Sequence, residues 1–91
     1  MTMRKGETKS GFKYKVDEAM LDDMELIDAM AETDGGNPLK VSVVVDKLLG
    51  AEQKQKLYDH LRTKKGNVPI REVVETVVEI FEAMGEQGKN S

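Results

Sequence analysis

Ninety-one residues with a formal net charge of −3, no cysteine and a mean hydropathy of −0.52 describe one small domain. A chain of this size buries only about 60–65% of its unfolded surface, so modest stability or support from oligomerisation is expected. The missing cysteines exclude disulfides and thiolate zinc sites. The longest apolar run, Val41–Val45 with Ser42 inside it, is far too short to span a membrane.

Charge is segregated along the chain. Residues 1–15 carry +4, residues 16–34 carry −8, residues 35–71 carry +5 and residues 72–91 carry −4. Blocks of alternating sign suit pairing between elements, head-to-tail contact between subunits, or solvated faces that differ only in sign. The N-terminus is charged with no apolar stretch behind it, which is not the pattern of a secretory signal.

Residues 1–10 are polar and lack periodicity, and disorder is expected there. Phe12, Tyr14 and Val16 then alternate with Lys13 and Lys15, the period of a short strand over 12–16. A lone strand leaves backbone groups unpaired, so it pairs with another molecule, lies as an extended arm, or is irregular.

A first helix is predicted over about 23–33. Asp22 with Glu25 resembles a capping box, and Leu21 and Leu26 occupy the positions of a hydrophobic staple. Met24, Ile27, Met30 and Ala31 form its inward stripe. The run Asp34-Gly35-Gly36-Asn37-Pro38 breaks the chain.

Asn37 as N-cap and Pro38 at the first helical position open a second helix over about 38–49. Its β-branched run would also suit a buried strand, but Val41, Val44, Val45 and Leu48 keep helical spacing. Gly50 ends it. A third helix over about 51–63 turns Leu57, Tyr58 and Leu61 inward.

The last helix, about 69–84, reads as the core former. Ile70, Val73, Val74, Val77, Phe81 and Met84 recur at helical spacing, with Val78 and Ile80 beside them and Glu72, Glu75, Glu79 and Glu82 opposite. Gly85 fits the residue just past its end. The fold expected is therefore mostly α: a compact bundle of about four short helices with a short extended segment at 12–16. One domain spans 11–85, with polar tails at 1–10 and 86–91.

No residue set carries catalysis. His60 is the only histidine, and Asp59 beside it points about 100° away on a helix, which defeats a base with an orienting acid. Asp17, Glu18, Asp22 and Asp23 lack the spacing of a calcium loop and read as capping or solvated acids. Lys54, Lys56, His60, Arg62, Lys64 and Lys65 form a basic patch, yet the chain is acidic and the patch offers no series of groups for base edges. The expectation is a non-enzyme without metal or cofactor that neither enters a membrane nor binds nucleic acid. Methionines at 20, 24, 30 and 84 suit either irregular core gaps or a changeable partner surface.

The segments FKYKVDEAMLDDMELIDAMAE, LLGAEQKQKLYDHLR, GNVPIREVVETVVEIFEAMGE and GKNS together resemble small phage and prophage proteins of Gram-positive hosts. Those proteins are encoded between the major tail protein and the tape measure protein and are regarded as tail assembly chaperones. The resemblance implies a chain of the host cytoplasm that covers the tape measure protein before tail-tube polymerisation and is absent from the finished virion. The partners implied are the tape measure protein and the major tail protein, with a homo-oligomer allowed by the charge blocks. The upstream product of such families is often extended by a frameshift, for which Gly88-Lys89-Asn90 could be coded by a slippery run. Met24, Ile27, Met30 and Phe81 are the candidate groove residues. The competing expectation seals all four inside the monomer and leaves a generic helical interaction module, with a nucleic-acid-binding regulator third.

Overall fold

Gly6 is small enough to let an aromatic ring cross it, and that crossing fixes the first element of the fold. In the computed structural model, which describes residues 3–34 and 38–89, β1 (Met3–Glu7) pairs antiparallel with β2 (Lys13–Asp17). Gly6 lies opposite Tyr14, and a Cβ there would collide with the tyrosine hydroxyl and ring. The hairpin closes through Thr8: its N–H donates to the Phe12 carbonyl at 2.9 Å, and its hydroxyl accepts the Phe12 N–H at 3.1 Å.

Two expectations fall here. Residues 3–7 form a strand where disorder was expected, and the strand at 12–16 pairs with its own chain, not as a lone arm. The inward face of β1 consists of Arg4 and Gly6, opposite Val16 and Tyr14, with the buried Thr8 just past its end, so it shows no apolar alternation to read.

A 3-10 turn, Glu18–Asp22, follows, with the Asp17 carboxylate accepting the Ala19 N–H at 2.9 Å. Helix α1 (Met24–Asp34) is capped by Asp23 and not by Asp22: Asp23 Oδ1 accepts the N–H groups of Glu25 at 2.9 Å and Leu26 at 3.3 Å. The Leu21 side chain and residues 35–37 lie outside the described residues, and with them the expected staple, N-cap and glycine breaker.

The stripe of α1 that packs is also different. Leu26 and Ala29 are buried with Met30 half-buried, whereas Met24 is 67% and Ile27 36% exposed. The buried arc is offset by roughly one residue's turn from the expected one, because Met24-Ile27-Ala31 and Leu26-Ala29-Met30 both satisfy helical spacing.

After a 3-10 turn at Pro38–Lys40, α2 (Val41–Leu61) runs through both expected middle helices as one element broken at Gly50, whose φ of 81° and ψ of 165° are not helical. That region of backbone space is open essentially only to glycine. Counted as continuous elements there are three α-helices and a two-stranded sheet where four helices were expected, and the break at Gly50 falls where the expected second helix ends. Val41, Val44, Val45 and Leu48 are buried, as is Leu57.

Side chains bridge the break. Lys54 Nζ lies 3.1 Å from both Ser42 Oγ and Asp46 Oδ2, while the Gln53 amide donates to the Leu49 carbonyl at 2.8 Å.

Helix α3 (Ile70–Lys89) buries Val73, Val77, Ile80 and Met84, each contributing about 1.5–3 kcal/mol before ordering costs. It runs past Gly85 to Lys89, so 86–89 is helical and not a tail; an interior glycine costs only about 1 kcal/mol. Ile70, expected inside, is 57% exposed. The hub is α2, which packs on α1, α3 and β2, where α3 was expected. No helix among the described residues is long and apolar enough to cross a membrane.

Candidate functional site

The two flanks of α2 are finished differently. On the hairpin flank, Phe12, Tyr14 and Val16 are buried against the helices, and polar groups close the seam. The free edge of β2 meets the side chain of Gln53 as though it were a third strand. The Lys15 N–H donates to Gln53 Oε1 and Gln53 Nε2 donates to the Lys15 carbonyl, both at 2.7 Å. Glu79 of α3 accepts the Lys9 N–H at 2.8 Å, which docks the hairpin turn. His60 Nε2 lies 3.1 Å from the Ser10 carbonyl and its ring sits 5.8 Å from that of Phe12. Burial, with the nearby Glu79 carboxylate adding to it, holds the Tyr14 hydroxyl above its usual pKa.

The other flank is open. Between α1 and α3, over the first half of α2, lies a trough of about 410 Å³ lined by Ile27, Met30, Ala31, Thr33, Val44, Val74, Val77, Val78, Phe81 and Glu82. Val44 and Val77 form its buried floor; Met30, Val74, Val78 and Phe81 form half-buried walls. Its volume is that of a ligand pocket, but its lining lacks the converging polar groups that orient a small molecule.

Of the four candidate groove residues, Ile27, Met30 and Phe81 come together here. Met24 does not line the trough; it stands exposed one turn before Ile27 and extends the apolar strip along α1. Val74 and Val78 complete the far wall, and their place in the α3 repeat was read as core.

The remaining polar groups are absorbed locally. Lys54 pairs with Asp46 and Arg62 with Asp59, both at 3.1 Å, while Lys56 lies 3.6 Å from Glu52. Three cations of the basic patch, Lys54, Lys56 and Arg62, are thereby paired. Glu18 pairs with Arg4, and Asp23 lies 3.5 Å from Lys47. Desolvation pushes the Asp23 pKa up, but the Leu26 and Glu25 N–H groups and Lys47 outweigh it, and the net shift is downward. Among the described residues no group of three or more potential metal ligands gathers.

Sequence reasoning missed Gln53 and Glu79 as docking residues. A glutamine on an exposed helix face and one member of a glutamate stripe carry no signal of a strand edge 38 residues away or a hairpin turn 70 residues away. Comparison of the chain with protein-family models, curated proteins and solved structures found no match.

Proposed function

We propose that this protein is a non-enzymatic assembly chaperone of phage tail morphogenesis that covers apolar helical surface on the tape measure protein before tail-tube polymerisation. The single observation that carries the reading is the open apolar trough between α1 and α3, where Ile27, Met30, Val74, Val78 and Phe81 present apolar surface to a neighbour. A long helical client exposes apolar stripes that aggregate before assembly, and helix-in-groove docking is the physical means of covering them. The resemblance of Gly11 onward to tail assembly chaperones supplies the identity of the client. On this reading the chain acts in the host cytoplasm and leaves before the virion is complete, with the major tail protein as its second partner.

Co-expression of the chain with the neighbouring tape measure protein tests the proposal. The soluble fraction of the tape measure should rise severalfold with the wild-type chain. An unchanged soluble fraction contradicts the reading and leaves the same trough to a generic helical interaction module.

A further inference from the structure

We infer that the trough is selective for charge as well as shape, and that its occupant is a basic amphipathic helix of another protein. This rests on the trough being the working surface, as proposed above, and adds what the partner must look like.

The observation is the charge of the two walls. Helix α1 carries Glu25, Asp28, Glu32 and Asp34 and no base, and α3 up to Met84 carries four glutamates against Arg71. Much of this acid is already engaged: Glu32 lies 3.7 Å from Lys40, Glu75 lies 3.1 Å from Arg71, and Glu79 accepts the Lys9 N–H. Glu82, in the lining itself, has no cation within ion-pair distance among the described residues, whereas Asp28 faces a separate depression that it shares with Lys40 and Lys47. An uncompensated carboxylate therefore stands at the α3 lip of an apolar channel. Such an arrangement favours a partner with lysine or arginine beside its apolar stripe and repels one with acids there.

A second copy of this chain is the obvious competitor and fits poorly. Trough against trough would place two Glu82 carboxylates on one apolar seam. Among the basic parts of the chain, Lys13 and Lys15 alternate with buried Phe12, Tyr14 and Val16, and the basic half of α2 keeps Leu57 fully inside; exposed Leu39 and Val43 stand beside Lys40 and Lys47, whose charges already meet Glu32 and Asp23. The lining of α3 from Val74 to Glu82 is about 12 Å long, which seats two turns of a helix with apolar side chains at i, i+3, i+4 and i+7.

Three fluorescent helical peptides of one apolar face, flanked by lysine, glutamine or glutamate, test this by anisotropy against the full chain. The lysine peptide should bind at least about tenfold tighter than the glutamate peptide, with the gap shrinking as salt is raised. Glu82→Lys should narrow that gap, and Ile27→Asp should weaken all three peptides. Equal binding of the lysine and glutamate peptides overturns the inference. So does binding of the lysine peptide that ignores Ile27→Asp, since the contact then lies elsewhere. Absence of binding by any peptide overturns it too, as does a dimer in sedimentation that Ile27→Asp dissolves. A chain that keeps the tape measure soluble but shows no charge preference sinks this inference alone. Charge preference without any effect on the tape measure sinks only the assembly reading.

Discussion

The hairpin flank of α2 and its trough flank use the same kind of apolar residue and end in opposite states. On the hairpin side, Val16 and Leu57 are fully buried, and Gln53, Glu79 and His60 close the polar seam around them. On the trough side, Ile27 of α1 and Val74, Val78 and Phe81 of α3 have no element of the described residues laid over them. The difference teaches that apolar periodicity marks a surface wanting cover but does not say whose chain supplies it. The hairpin seam is sealed by specific hydrogen bonds, whereas the trough is bordered at Glu82 by a carboxylate with no ion pair among the described residues.

That contrast breaks most visibly at Leu57. Leu57→Ala empties a fully buried site on the sealed side and should cost about 2–5 kcal/mol in chemical denaturation. A cost below about 1 kcal/mol would mean the hairpin flank is not the packed scaffold described above. Gln53→Ala removes three hydrogen bonds, to both backbone groups of Lys15 and to the Leu49 carbonyl, and should cost about 1–2 kcal/mol. Amide exchange at Lys15 should rise with it; unaltered exchange there would show that the strand edge is not held by this side chain.

Ile27→Asp, on the open side, should cost no more than about 1 kcal/mol, because the side chain is already partly in water. A loss as large as that at Leu57 would make the trough part of the core.

The smallest effect is confined to high pH. Tyr14 is held neutral in the fold above its usual value near 10. The stability it contributes is therefore fully present below that value and lost as pH rises through the raised, folded-state value. Tyr14→Phe should remove that alkaline component from the stability profile while leaving the neutral-pH profile nearly flat. A wild-type and variant that fall together above pH 10 would assign the alkaline loss to other groups.

How far this contrast was legible in the sequence follows the same division. The valines and leucines of α2 announce their buried face because Val41, Val44, Val45 and Leu48 repeat with one dominant phase. Gly50 marks the break because its backbone conformation excludes other residues. The strand β1 stayed hidden, since its inward face depends on the absence of a side chain at Gly6 and on Tyr14 lying across it. In α1 two overlapping apolar arcs compete, and only packing on α2 shows that Leu26 and Ala29 go inside while Met24 and Ile27 stay out. The candidate site was therefore visible as residues but not as a site: Ile27, Met30 and Phe81 were distinguishable from core only once the walls of the trough were in place.

Methyl NMR of the chain, titrated with a lysine-flanked amphipathic peptide or a tape measure segment, reads the working surface most directly. The account predicts shifts at Ile27, Met30, Val74 and Val78 while Val16 and Leu57 stay where they are. Shifts gathered on Met3, Val16 and the rest of the hairpin, with the trough methyls unmoved, would contradict it.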